Sequence, residues 1–211
     1  MQFLANTGFL FPDLPFPDRI RAAAAAGFDG VECHDEVQRH DAAAIAALLA
    51  ETGLTVGALN TRMGTTAGCA AIPGSPRDFV ADMQAAHAAA EAVQARAIHV
   101  LAGRGHTERG TYLANLRRAL DLTDRRLLIE PISRVAMADY HLSRLDEALE
   151  VVAMLGTAQV AIMFDWFHVV AERGPSAAAL ALARHRDWVG HVQAAAHPAR
   201  NEPDRALIER T

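Results

Sequence analysis

Short apolar runs alternate along the chain with longer stretches in which apolar residues recur with a helical period. The alternation repeats about every 30 residues, which is the size of a strand–helix unit. It predicts seven strands, at residues 2–6, 29–33, 54–60, 97–102, 127–131, 160–165 and 189–193. It predicts six helices between them, at 17–27, 42–53, 76–94, 109–123, 143–156 and 176–188. Short, continuously apolar strands separated by helices are typical of a parallel sheet that helices cover on both faces.

Two architectures fit this pattern, an open doubly wound sheet and a closed (β/α)8 barrel. An open sheet of the dinucleotide-binding type would carry a GxGxxG turn after the first strand, and none follows residues 2–6. A barrel would instead place polar residues at the carboxyl ends of many strands, where they meet at one mouth. Such residues are Asn6, Glu32, Asn60, Glu130, Asp165 and Gln193. The sequence therefore predicts a TIM-barrel-type fold with about seven βα units.

Composition limits the class of protein. The 211 residues contain no linker-like segment, so we expect a single domain over residues 1–211. A net charge of −5 gives no reason to expect a nucleic-acid partner. No apolar window is long enough for a membrane span, and Cys33 and Cys69 lack CxxC spacing. We expect a soluble cytoplasmic protein with a small-molecule substrate.

Three oxygen-bearing side chains end three consecutive predicted strands. Glu130, Asp165 and Gln193 would then be neighbours on the rim of the barrel. Hard oxygen ligands of this kind suit Mg²⁺ or Mn²⁺. A lone carboxylate at a strand end is more often a helix cap or a partner of arginine, but three on neighbouring strands favour a divalent-metal site.

Histidines lie close to the same three residues. His168 follows Asp165 by three positions, and His191 precedes Gln193 by two, so the side chains of His191 and Gln193 share one face of their strand. A neutral imidazole at the mouth could bind metal, contact substrate or relay a proton, or it could be a hydrogen-bonded rim residue. Glu32 and His34 have the same two-residue spacing, but no second observation favours them as site residues, so they rank below the other candidates.

An ordered set of motifs is similar to one known family. GFLFPDLPFPDRIRAAAAAGFDGVE at the start, then LNTRMG, GCAAIPG, IHVLAG, YLANLR, LLIEPI, FDWFH and GHVQ, resemble the hydroxypyruvate isomerases of the sugar isomerase/epimerase superfamily, which have a xylose-isomerase-like barrel. The resemblance extends from about residue 2 to about residue 203 and covers most of the chain.

The resemblance implies an isomerase that interconverts hydroxypyruvate and tartronate semialdehyde through an enediolate, with acid/base glutamate and a divalent metal. It implies that Glu130 is both metal ligand and catalytic acid/base residue, and that Asp165 and Gln193 are further metal ligands. It also implies that His168 contacts substrate and that Arg200 pairs with a substrate carboxylate. Asn60, Glu32 and His191 are further substrate-binding candidates at the predicted mouth.

The resemblance further implies an eighth βα unit whose Gly-Cys-Glu-Tyr-type motif supplies a last metal ligand and a second acid/base glutamate. No such motif follows Gln193, so we expect a barrel without its eighth strand and an incomplete catalytic site. Truncation, a rebuilt end and completion by another subunit in a homo-oligomer are the alternatives. Other readings are an isomerase or epimerase of another keto sugar or sugar acid, a catalytically impaired binding barrel and, more distantly, a metal-dependent endonuclease.

Overall fold

The computed structural model describes residues 1–74 and 76–203. The strands are β1 (Leu4–Asn6), β2 (Gly30–Cys33), β3 (Thr55–Asn60), β4 (Ala97–His99), β5 (Arg126–Ile129), β6 (Val160–Asp165) and β7 (Val189–Gln193). The α-helices are α1 (Phe16–Ala25), α2 (Ala42–Thr52), α3 (Pro76–Ala92), α4 (Arg109–Leu122), α5 (Leu145–Leu155), α6 (Trp166–Arg173) and α7 (Pro175–His185). Short 3₁₀ helices lie at Val37–Arg39 and Arg186–Trp188.

The seven strands form one sheet in the order β1-β2-β3-β4-β5-β6-β7, and every neighbouring pair is parallel. Sequence order and spatial order therefore coincide, as in a barrel. The sheet also curls, because side chains of β2 and β7 are in direct contact although four strands separate them. The predicted TIM-barrel-type architecture is confirmed, with seven parallel strands and seven α-helices, and the described residues contain no eighth strand.

The two ends of the sheet differ from its middle in exposure. Every residue of β6 is buried, whereas every residue of β7 is partly exposed. The difference arises because β6 pairs on both sides, and β7 pairs only with β6 among the described residues. The parallel sheet is thus open between β7 and β1, and the described helices cover its outer face.

Hydrophobic residues fill the fold on both sides of the sheet. The larger core cluster joins the outer faces of the strands to the helices. A smaller cluster of Ala58, Ala97, Leu128, Ala161 and Met163 lies on the inner face. Gly190 faces it, since an added Cβ would lie 2.7 Å from the Cβ of Ala161. The three alanines and Gly190 let the strands approach closely, and Leu128 and Met163 fill the space between them.

Local signals account for most helix boundaries. Asp41 caps α2 by accepting hydrogen bonds from the backbone N–H groups of Ala43 and Ala44. Gly53 and Gly156 end α2 and α5 in the left-handed conformation that favours glycine. No described helix has the length and apolar character needed to cross a membrane.

The pattern missed α6, which begins immediately after β6 with no connecting loop. Its first five residues are all buried, so the buried, mostly apolar run of β6 continues without interruption into the helix. The fourth and fifth predicted strands are also too long at their carboxyl ends, since β4 ends at His99 and β5 ends at Ile129.

Candidate active site

A polar residue stands at or beside the carboxyl end of every strand. In strand order these residues are Asn6, Glu32, Asn60, His99, Glu130, Asp165 and Gln193. All except the first and last are buried. Because parallel strands bring their carboxyl ends to one edge, the curled sheet gathers these side chains at one mouth.

Glu130 lies one residue beyond β5 and is 6% exposed. Its Oε1 is 3.6 Å from Nε2 of His168, and its Oε2 is 3.6 Å from Nε2 of His99. Burial, and then the nearby carboxyl group of Asp165, raise the pKa of Glu130 well above its usual range. The carboxyl group is therefore flanked by an imidazole on each oxygen and holds its proton more tightly than an exposed glutamate.

Asp165 both ends β6 and caps α6. Its Oδ1 accepts a hydrogen bond of 2.8 Å from the backbone N–H of Phe167, and its Oδ2 accepts one of 3.0 Å from Nη2 of Arg200. Burial raises the pKa of Asp165 to about 6, although the Arg200 guanidinium and the Phe167 N–H oppose this increase. The missed helix thus explains how Asp165 is held, because its first turn fixes one carboxylate oxygen and leaves the other facing the mouth.

The two histidines beside Glu130 are neutral near pH 7. Burial lowers the pKa of His99 and of His168 to about 3. Nδ1 of His168 lies 3.2 Å from Oγ of Ser133, and Nδ1 of His99 lies 3.1 Å from Oδ1 of Asn60. The contact at Nδ1 therefore fixes the orientation of each ring, and Nε2 of each ring faces Glu130.

Glu32 connects the first two strands to the last one. Its Oε1 accepts hydrogen bonds of 2.8 Å from the amide nitrogens of Asn6 and Gln193. Nε2 of His191 donates to its Oε2 at 2.6 Å. Since Asn6 belongs to β1 and the other two donors to β7, this carboxylate bridges the open side of the sheet. We refer to Glu32, Asn6, His191 and Gln193 as the Glu32 clasp.

Arg200 lies over the mouth between two aromatic rings. Its guanidinium carbon is 4.4 Å from the ring centroid of Phe9 and 4.9 Å from that of Phe167. Both distances are within the range of cation–π attraction. The rings hold the guanidinium group beside Asp165, so a positive charge stands at the entrance to an otherwise acidic cluster.

The candidate residues fall into two groups. Glu130, Asp165 and His168 each offer a ligand atom within 4.8 Å of the others, which makes them a possible metal-binding triad. Glu32, His191 and Gln193 form the second group as members of the Glu32 clasp.

Two further candidates lie beside these groups. Arg200 contacts the triad through its hydrogen bond to Asp165. The side chain of Asn60 contacts His99 and, at 3.9 Å, Sδ of Met63.

The sequence reasoning missed His99. The segment AIHVLA reads as one continuous apolar strand through residue 102, which places His99 in its middle. A strand that ended at its polar residue, as the predicted strands at 2–6, 54–60, 160–165 and 189–193 do, would have added His99 to the predicted mouth. His34, which follows β2, was named only as a weak candidate, and burial lowers its pKa.

Comparison with known proteins identifies the family. The model of the xylose isomerase-like TIM barrel matches residues 20–210. The chain belongs to this family. Within it the chain is of the isomerase type, because the curated relatives it matches are isomerases of small oxo acids.

Two relatives and two solved structures show the extent of the similarity. The chain is 34% identical to 2-oxo-tetronate isomerase of Cupriavidus necator over 96% of this chain and 82% of that protein. It is 30% identical to hydroxypyruvate isomerase of Escherichia coli over 96% of this chain and 83% of that protein. A structure described as AP endonuclease, family 2, from Brucella melitensis has a TM-score of 0.92 and 29% identity, covering 99% of this chain and 87% of that one. The chain also shares its fold with the 3-keto-D-glucoside 4-epimerase YcjR of E. coli. The TM-score is 0.77 and the identity 22%, over 100% of this chain and 86% of that one.

The Glu32 clasp predicts a stability change. Glu32→Gln replaces three charge-assisted hydrogen bonds by neutral ones and offers only one acceptor oxygen, so the free energy of unfolding in urea should fall by at least about 1.5 kcal/mol. Glu91→Gln is the control, because Glu91 pairs with Arg125 on the surface and is half exposed. It should cost less than about 1 kcal/mol. Equal losses in the two variants would contradict the bridging role of Glu32.

Burial of neutral His99 predicts a pH dependence of stability. The ring has a pKa of about 3 in the folded chain against 6.5 for the unfolded group. Below pH 6.5 the unfolded state therefore binds a proton that the folded state does not, and stability is lost as the pH falls toward 3. With chelator present, the parent should lose about 1 kcal/mol per pH unit below pH 6 relative to His99→Gln. Parallel stability–pH curves would show that His99 is not buried in neutral form.

Proposed function

We propose that the protein interconverts hydroxypyruvate and tartronate semialdehyde. The observation that carries this proposal is the buried carboxyl group of Glu130 between two neutral imidazoles at the mouth of the barrel, in a chain 30% identical to a hydroxypyruvate isomerase. The same site could act on a four-carbon acid, since the chain is 34% identical to a 2-oxo-tetronate isomerase. An isomerase of 2-oxo-tetronate is therefore the second candidate.

The reaction needs a group that moves a proton between adjacent carbons. In hydroxypyruvate, a base removes a proton from the hydroxyl-bearing carbon C3, which leaves an enediolate. Return of a proton to C2, with transfer of the C3 hydroxyl proton to the C2 oxygen, yields tartronate semialdehyde. Glu130 suits the carbon-to-carbon transfer because a glutamate with a raised pKa exchanges protons nearer neutral pH. A single carboxyl group on one face of the enediolate can perform both the removal and the return.

The proposed substrate is an anion, and Arg200 is the candidate to bind its carboxylate. A guanidinium group matches a carboxylate through two parallel hydrogen bonds. Arg200 now pairs with Asp165 and lies between Phe9 and Phe167, which restricts it to the mouth. The overall charge of −5 favours a small acid held by one such group over a polyanion.

The triad has a donor set and spacing that fit a divalent cation. Nε2 of His168 is 3.6 Å from Oε1 of Glu130 and 3.6 Å from Oδ2 of Asp165. Two ligand atoms that each lie about 2.1 Å from one ion can be at most about 4.2 Å apart, and both distances are below that limit. Two carboxylates and one imidazole favour Mg²⁺ or Mn²⁺.

Gln193 is a further candidate metal ligand. Its amide nitrogen donates a hydrogen bond to Glu32, so its amide oxygen is the atom that could coordinate a metal ion. A bound divalent ion would supply Lewis-acid stabilisation of negative charge that develops on substrate oxygens. The residues of this chain would orient the acid, exclude water and transfer the proton.

Activity tests the proposed reaction directly. The parent protein, assayed with Mn²⁺ present, should convert hydroxypyruvate to tartronate semialdehyde. Glu130→Gln should lower kcat by at least about 100-fold, because the amide cannot exchange the proton. Glu150→Gln, which alters an exposed surface carboxylate paired with Arg109, should leave kcat unchanged. Faster turnover of 2-oxo-tetronate would favour the second candidate, and no turnover of either acid by folded protein would refute both.

Metal binding can be measured independently of turnover. Mn²⁺ at about 100 times its dissociation constant should stabilise the parent by about 2.7 kcal/mol, which raises the thermal midpoint. Glu130→Gln and Asp165→Asn should each lose most of this increase, because each removes an anionic ligand. Glu150→Gln should keep it. An unchanged midpoint for the parent, or an equal rise in all four proteins, would remove the metal site from the proposal.

A further inference from the structure

His99 presents a buried nitrogen that has no hydrogen-bond partner. Its side chain is 3% exposed, and its Nε2 makes no hydrogen bond among the described residues. Oε2 of Glu130 is 3.6 Å away, which is beyond hydrogen-bond distance. Buried polar atoms are nearly always paired in folded proteins, so an unpaired nitrogen that faces a candidate catalytic carboxyl group calls for a ligand.

Asn60 determines which ring nitrogen of His99 carries the hydrogen. The amide nitrogen of Asn60 points toward Sδ of Met63 at 3.9 Å, and its Oδ1 lies 3.1 Å from Nδ1 of His99. Because the amide oxygen can only accept, Nδ1 must carry the hydrogen. In a neutral imidazole the other nitrogen is then an acceptor. Nε2 therefore offers a lone pair to whatever group approaches Glu130.

The acceptor character of Nε2 restricts the chemistry of its partner. A carboxylate or carbonyl oxygen has no hydrogen to donate and would be repelled. The donor groups of a small hydroxy oxo acid are its hydroxyl groups, and hydroxypyruvate has one on the carbon next to its carbonyl. Sites built to pair a substrate hydroxyl discriminate strongly against analogues that lack it, since the protein group is then left unpaired.

We propose that His99 accepts a hydrogen bond from the substrate hydroxyl group on the carbon next to the carbonyl, and that Asn60 is the positioning residue that keeps Nε2 free to do so. This inference rests on the proposed function and deepens it. His99 selects 2-oxo acids that carry this hydroxyl over those that do not.

The test compares binding of hydroxypyruvate and pyruvate, which differ only in the hydroxyl group. Isothermal titration of the Mn²⁺-loaded parent should show at least a 10-fold preference for hydroxypyruvate. His99→Asn retains an amide at the Nδ1 position and none at Nε2, so the preference should fall below 3-fold. His99→Gln places its amide oxygen near the Nε2 position and should keep most of the preference. The Mn²⁺-dependent rise in thermal midpoint should be the same in all three proteins, which shows that they are folded and bind metal.

The outcomes separate this inference from the proposed function. If the parent binds neither acid, the proposed function fails and the role of His99 fails with it. If the parent prefers hydroxypyruvate and His99→Asn keeps that preference, or both variants lose it equally, the role of His99 is refuted while the proposed function stands. Equal binding of the two acids by the parent also refutes it.

The role of Asn60 has a spectroscopic readout. In ¹⁵N-labelled parent protein, the imidazole nitrogen shifts of His99 should show a protonated Nδ1 and an unprotonated Nε2. Asn60→Leu removes the acceptor for the Nδ1 hydrogen, so the Nε2-protonated form should appear and the preference for hydroxypyruvate should weaken. An unchanged tautomer in Asn60→Leu would show that Asn60 does not position His99.

Discussion

The carboxylate of Glu32 is the contact that joins the described ends of the sheet. In a complete barrel, backbone hydrogen bonds join the last strand to the first. The described strands β1 and β7 are not paired with each other, and Glu32 on β2 accepts hydrogen bonds from Asn6 on β1 and from His191 and Gln193 on β7. Three donors thus meet one buried carboxylate between the two ends. The same curl of the sheet brings the carboxyl ends of strands from opposite sides to one mouth.

Burial governs the charge of the carboxyl groups at the mouth. It is the main cause that raises the pKa values of Glu130 and Asp165, and the carboxyl group of Asp165 raises that of Glu130 further. The neighbouring imidazoles His99 and His168 are held neutral by burial, so they add no positive charge. Positive charge comes from Arg200 at the entrance. The proposed divalent ion at the triad would add positive charge beside the same carboxyl groups.

Much of the fold could be predicted because βα repetition leaves a strong pattern. Strand β6 and strand β7 have the predicted bounds, and the strand order follows from the rule that consecutive parallel strands are neighbours. Helix α6 was missed because it follows β6 without a loop and its first five residues are buried, so the mostly apolar run of the strand continues into the helix. The end of β4 was misplaced for a related reason: Val100, Leu101 and Ala102 are buried in loop structure and look like strand in sequence.

Candidate site residues could be located by the rule that strands of a barrel end in functional side chains. The rule selected Glu130, Asp165 and Gln193, but it could not show that the amide of Gln193 is bonded to Glu32, which is 161 residues away in sequence. Nor could it show that Asp165 caps a helix. Contacts of this kind depend on the curvature of the sheet and on rotamers, neither of which leaves a trace in local sequence.

The apolar layer beneath the mouth has a consequence for the carboxyl groups above it. Leu128 and Met163 point to the same side of their strands as Glu130 and Asp165, two residues earlier in each strand, and they belong to one cluster with three alanines. The volume of these side chains sets how closely the strands approach each other directly below the two carboxyl groups. An exchange of leucine or methionine for alanine in this layer would therefore open space beneath Glu130 and Asp165 without altering a polar residue.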